Sequence, residues 1–125
     1  MKNNVVKNKS FDFAVRIIRL YQYLNNDKKE FILSKQLLRS ATSVGAIIRE
    51  AEHAESKSDF IHKFSIAQKE ANETVYWLEL LKATDYLNEK EFENINNDAI
   101  SILKLITSIL KTSKNSSIKK TSSIN

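Results

Sequence analysis

The sequence contains no proline and a single glycine, Gly45, in 125 residues. Because these two residue types interrupt regular structure and dominate tight turns, so low a count argues against a turn-rich β fold and favours long helices. A chain of this length can build one hydrophobic core but not two. Apolar residues make up 42% and charged residues 28% of the chain, which is typical of a globular domain.

Apolar residues recur at steps of three and four in four segments, which predicts an all-α fold. We expect helices over residues 10–24, 28–52, 58–86 and 88–111. The predicted helix starts contain residues suited to N-capping, namely Ser10 and Ser58 as single caps and the capping-box spacings of Asp27 with Glu30 and of Asn88 with Glu91. Four helices joined by short turns fold most simply as an antiparallel up-down-up-down four-helix bundle.

The excess positive charge, +5 in total, lies at the two ends of the chain. Residues 1–24 hold five basic side chains and one acid, and residues 111–125 hold four lysines and no acid. We divide the chain into a basic N-terminal segment (1–9), the bundle (10–111) and a Ser/Lys-rich tail (112–125). The tail has too little apolar surface to order itself, so we expect it to be disordered.

Basic chain ends favour polyanionic partners such as RNA or DNA, although Lys-rich termini can also serve solubility alone. The residues that we predict to bind nucleic acid are Lys2, Lys7, Lys9, Arg16, Arg19, Lys111, Lys114, Lys119 and Lys120.

Cysteine is absent, which excludes disulfides and thiolate chemistry. No apolar run approaches the roughly 20 residues of a membrane span. The basic N-terminus is not followed by the apolar segment of a signal peptide. These features predict a cytoplasmic protein that does not associate with membranes.

No motif in the sequence assembles an active site. The spacings of Glu50 with His53 and of Asp59 with His62 match part of a di-iron ligand set, but the first helix has no carboxylate on its apolar stripe. Arg49 and His53 are too close in sequence for the Arg–His pair of HEPN-type ribonucleases. A Gly-rich phosphate loop needs more than one glycine. We therefore predict a protein that is not an enzyme and has neither metal nor cofactor.

Two carboxylates of the third helix, Glu70 and Glu73, lie beside its apolar stripe, within reach of Arg39 in an antiparallel hairpin. We interpret these residues as a partly buried ion pair that fixes helix register, because such pairs often give specificity more than stability. An acid–base pair is the alternative, and no nucleophile accompanies it.

The third and fourth helices carry more apolar residues than one stripe needs, namely Ile66, Val75, Trp77, Leu80, Ile100, Leu103, Leu105 and Leu110. So wide a band predicts self-association, with a thicker core in a monomer as the alternative. A glycine kept within a helix indicates that a neighbouring backbone comes close. The residues that we expect at an interface between copies are Gly45, Ile47, Trp77 and Leu103.

Two segments resemble the signatures of the bacterial four helix bundle protein family. The first reads QLLRSATSVGA at 36–46 and IREA at 48–51, and the second reads FIHKFSIA at 60–67, KEANET at 69–74 and WLELL at 77–81. This family includes proteins encoded in intervening sequences of large-subunit ribosomal RNA genes and the accessory variability determinant of diversity-generating retroelements. The resemblance covers residues 13–109. One position departs, because the family has asparagine where this chain has Ile47, and a polar contact made there would be lost.

The resemblance implies an antiparallel bundle that assembles as a ring-like homopentamer and has no established catalytic activity. The retroelement member binds a reverse transcriptase and also binds nucleic acid through basic surface. We therefore expect a non-enzymatic, oligomeric bundle that binds nucleic acid, in the first place RNA, by phosphate contacts. The alternative is a protein–protein adaptor or scaffold for a partner such as a reverse transcriptase.

Overall fold

A computed structural model describes residues 2–124, with the side chains of residues 2–116. It contains α1 (Lys2–Asn26), α2 (Leu33–Ala51), α3 (Lys57–Ala83) and α4 (Glu89–Ile124). Each helix packs on the next one in the chain, and α1 also packs on α4. Within the described residues the backbones of the diagonal pairs, α1 with α3 and α2 with α4, do not come close to each other. The predicted four-helix bundle is confirmed.

The predicted apolar stripes form one continuous core. Each helix contributes at least one completely buried aliphatic side chain to it, including Ile17, Leu37, Leu78 and Ile106. Burial of one such side chain stabilises the folded state by about 1.5–3 kcal/mol. Part of the additional apolar band also belongs to this core, since Val75 and Leu110 are buried.

The start of α1 lies at Lys2 rather than at the predicted residue 10, so the described part of segment 1–9 is helical. The predicted N-cap at Ser10 is wrong. Ser10 lies within the helix, is buried, and donates its hydroxyl to the Lys7 carbonyl at 3.0 Å. The prediction failed because Val6, which is completely buried, continues the apolar stripe of α1 past the small Ser10 side chain.

The start of α2 depends on Glu30 rather than on the predicted capping box at Asp27. The Glu30 carboxylate is buried and accepts hydrogen bonds from the backbone amides of Ile32, Leu33 and Ser34 at 3.1, 2.8 and 2.7 Å. These donors are amides that the first turn of a helix leaves without partners. The helix therefore begins at Leu33 and not at residue 28.

The N-cap of α3 lies two residues before the predicted one, and the N-terminal capping box of α4 is the predicted one. Ser56, rather than the predicted Ser58, caps α3 by accepting from the Asp59 amide at 3.0 Å. Asn88 and Glu91 form the predicted capping box, in which each side chain accepts from the other residue's backbone amide at 2.8–2.9 Å.

The helix α4 continues to Ile124, so it includes the described part of the segment 112–125, and the disorder of that segment stays a prediction. The segment has neither proline nor glycine, so nothing in its backbone forces the helix to stop. The side chains of residues 111–116 are mostly exposed, so this extension lies largely outside the core.

We predict that Glu30→Ala lowers the free energy of unfolding by about 2 kcal/mol at neutral pH, because three amides at the start of α2 lose their acceptor. Burial raises the pKa of Glu30, but the backbone and Ser34 hydroxyl donors outweigh burial, so the pKa lies below its ordinary value of 4.5. A lowered folded-state pKa adds stability above pH 4.5, and that stability is lost as the pH falls through the folded-state pKa.

Urea denaturation at neutral pH and at about pH 3 measures the free energy of unfolding of wild type and of Glu30→Ala. The difference between these two free energies should be smaller at the acidic pH. Asp27→Ala, at the expected but unused cap, is the control and should change stability by less than about 0.5 kcal/mol. A Glu30→Ala variant as stable as wild type at neutral pH would contradict the assignment of this cap.

Candidate nucleic-acid interface

The antiparallel arrangement brings both chain ends and the α2–α3 turn to the same end of the bundle. We call this region, residues 2–11, 46–66 and 101–116, the basic end. Lys2 Nζ donates to Ser108 Oγ at 2.6 Å and thereby joins the start of α1 to α4. Lys7 Nζ lies 2.9 Å from a Glu52 carboxylate oxygen and joins α1 to the end of α2. A surface cleft between α1, α3 and α4 is lined in part by Lys2, Phe60 and Ile109.

Charge is sorted along the bundle axis. The basic end contains four acids, Glu50, Glu52, Glu55 and Asp59, and nine basic residues, Lys2, Lys7, Lys9, Arg49, Lys57, Lys63, Lys104, Lys111 and Lys114. The remaining residues with described side chains, 12–45 and 67–100, hold nine basic residues and eleven acids. The net charge is thus +5 at the basic end and −2 over the rest. A surface field of this kind attracts polyanions.

Five of the nine residues predicted to bind nucleic acid lie at the basic end. Lys2, Lys9, Lys111 and Lys114 are exposed there. Lys7 is half-buried and engaged by Glu52, and the hydrogen bond from Lys7 lowers the pKa of that carboxyl. The main role of Lys7 in the fold is therefore to hold α1 against α2.

Two of the other four predicted residues, Arg16 and Arg19, lie away from this end. The Arg16 guanidinium donates to Asp98 and Asn94 of α4, so it holds α1 against α4. Arg19 is exposed on the same half of α1 as Arg16, away from the basic end. Lys119 and Lys120 lie outside the residues whose side chains are described.

Four basic residues at this end were missing from the sequence prediction, namely Arg49, Lys57, Lys63 and Lys104. They lie in the middle of the chain, where the net charge is negative, so counting charge along the sequence overlooks them. Combining the predicted helix directions with the charge positions would have found them, because antiparallel helices bring residues 46–66 beside both chain ends.

The predicted ion-pair residues meet at the seam between α2 and α3. Arg39 donates to Glu70 at 3.0 Å and to Glu73, and Trp77 Nε1 also donates to Glu73, at 3.1 Å. The hydrogen bond from Arg39 lowers the pKa of Glu73, which suits an ion pair and not a proton donor at neutral pH. Deeper in the seam, the Thr74 and Ser40 hydroxyls lie 2.9 Å apart. These directional contacts favour one register of α2 relative to α3.

The residues predicted at an interface between copies have different surroundings. Gly45 lies against α1 of its own chain, where an added Cβ would lie 3.5 Å from the Ser10 carbonyl and hydroxyl oxygens. The close backbone approach that a helical glycine indicates is therefore made within one chain. Ile47, Trp77 and Leu103 are half-buried at the edge of the core, and each leaves part of its side chain at the surface.

The described side chains contain no cluster of three or more His, Asp or Glu groups placed to hold a metal ion. The two histidines, His53 and His62, are both exposed. In the described part of the chain, no helix combines the length and apolar character needed to cross a bilayer.

Comparison with known proteins gives a family match over most of the chain. Residues 2–108 match the family model described as 23S rRNA-intervening sequence protein. The chain is also similar to a crystal structure of a protein of unknown function from the S23 ribosomal protein family of Bacteroides thetaiotaomicron. The two are 61% identical with a TM-score of 0.88, over 89% of this chain and 99% of the other. No curated protein matches. This chain therefore belongs to the 23S rRNA-intervening sequence protein family.

Proposed function

We propose that the protein is a non-enzymatic bundle that binds RNA through phosphate contacts at its basic end. The observation that supports this function is the sorting of charge, +5 at that end and −2 over the other residues with described side chains. The exposed lysines Lys2, Lys9, Lys111 and Lys114 present flexible point charges suited to phosphate oxygens. The family name refers to 23S rRNA, which makes RNA the first polyanion to test.

Binding of this kind is dominated by counterion release and depends steeply on salt. Each phosphate contact to a single strand contributes about 0.7 to the slope of log affinity against log salt. Five contacts would therefore reduce affinity about 100-fold between roughly 50 and 200 mM salt. Lysine contacts of this type read charge and not sequence, so we expect little discrimination among RNA sequences.

We also propose the ring-like homopentamer that the family resemblance implies. The half-buried apolar side chains of Ile47, Trp77 and Leu103 are the surface that this assembly would cover. A pentamer would carry five basic ends. If each basic end binds RNA weakly, their combination in one particle would raise the overall affinity through avidity.

The adaptor alternative has one supporting observation, at the opposite end of the bundle. Phe31 and Ile32 are 56% and 77% exposed, on a loop that the Glu30 hydrogen bonds hold in place. Adjacent exposed apolar side chains could contribute to a protein-docking surface. Failure of the RNA-binding test below would favour this alternative.

Light scattering should give a particle mass of about five times the 14.4 kDa chain mass. Leu103→Glu, which places a charge on the proposed interface, should reduce that mass, since burial of an unpaired carboxylate is unfavourable. Lys104→Glu, at the exposed neighbouring position, is the matched control and should leave the mass unchanged. A wild-type mass of one chain would contradict the assembly.

Neutralising three lysines at the basic end, as Lys2→Gln, Lys111→Gln and Lys114→Gln together, should lower RNA affinity and reduce the salt slope by about 2. The matched control combines Lys28→Gln, Lys35→Gln and Lys90→Gln. It makes the same change in net charge at exposed sites outside the basic end. Fluorescence anisotropy of a labelled RNA across a salt series measures both quantities.

Two outcomes would contradict RNA binding at this end. One is a wild-type affinity that stays constant as salt rises from about 50 to 200 mM, or that is absent at low salt. The other is an equal loss of affinity in the control triple variant, which would show that total charge matters and its location does not.

A further inference from the structure

An exposed phenylalanine lies at the basic end. Three aromatic side chains in the described part of the chain are more than half exposed, namely Phe11 (54%), Phe31 (56%) and Tyr76 (54%). Phe11 alone belongs to the basic end. Exposure of a large aromatic ring forgoes the stabilisation that burial would give, so its presence among basic residues calls for a physical explanation.

The ring of Phe11 is supported from one side. The Arg49 guanidinium carbon lies over it, 5.3 Å from the ring centroid, which is cation–π geometry. Gly45 lies one helical turn before Arg49, and its contact with Ser10 brings α1 and α2 together next to Phe11. The arginine covers one face of the ring, and more than half of the side chain remains open to solvent.

Two acids of α2 near this ring have cationic partners. Glu52 pairs with Lys7 at 2.9 Å, and Glu50 lies 4.0 Å from Lys63. Their repulsion of a phosphate backbone is therefore reduced where the RNA would approach Arg49. Surface pairs of this kind are weak in themselves, but they offset the local negative charge.

We infer that Phe11, backed by Arg49, is a stacking platform for an unpaired base, and that the RNA bound is single-stranded. This inference rests on the proposed function and specifies its substrate class. Stacking of a base on an aromatic side chain changes affinity about 5- to 150-fold and tolerates any base. Bases in a duplex already stack on one another, so a double strand has no free base face for the ring.

The test compares Phe11→Leu with wild type on two probes, a mixed-sequence RNA of about twelve nucleotides and the same strand in a duplex. Leucine keeps an apolar side chain at an exposed position and removes only the flat ring. The variant should lose at least about fivefold in affinity for the single strand and nothing for the duplex. Tyr76→Leu is the matched control, because Tyr76 has the same exposure but lies outside the basic end. It should bind both probes as wild type does.

The outcomes of this test distinguish failure of the stacking platform from failure of the proposed RNA-binding function. Salt-dependent RNA binding by wild type, with equal single-strand affinity in Phe11→Leu, would overturn the stacking platform and leave the proposed function standing. No RNA binding by wild type would overturn both. A Phe11→Leu variant whose particle mass also changes would assign Phe11 to a contact between copies and overturn the stacking platform.

Discussion

Short turns between long helices are the constraint on which the rest of this structure depends. Each turn makes a helix run back along the previous one, so α4 returns beside α1. Polar contacts reinforce this closure at both ends of the α1–α4 seam, with Lys2 bonded to Ser108 at one end and Arg16 bonded to Asp98 towards the other. Because the helices are antiparallel, charges far apart in sequence become neighbours in space.

The fold was predictable from the helical period of the apolar residues. Most of the helix starts were not predictable from the sequence. Apolar spacing identifies the buried face of each helix without knowledge of its neighbours. A helix start depends on which of several nearby polar side chains reaches the free amides, and that choice depends on local loop geometry. Ser56 rather than Ser58, and Glu30 rather than Asp27, make those bonds here. At Asn88 the predicted box does form, with each side chain accepting from the other residue's backbone amide.

The candidate site was predictable only in part, for a related reason. Lysines at the chain ends are visible in the sequence, but pairing between charges is not. Arg16 and Lys7 look like free cations in the sequence, and the fold engages them with Asp98 and Glu52. Conversely, Arg49 lies in a sequence segment of unremarkable charge and becomes part of the basic end through the antiparallel packing. The basic residues of α1 thus divide between packing contacts and a solvent-exposed surface.

Photo-cross-linking with 4-thiouridine-labelled RNA, followed by mass spectrometry of the attached peptides, tests the location of that surface most directly. RNA binding at the basic end predicts that cross-links fall within residues 2–11, 46–66 and 101–116, and that high salt suppresses them. Cross-links concentrated in residues 67–100, which carry eight acids and three basic residues, would contradict it.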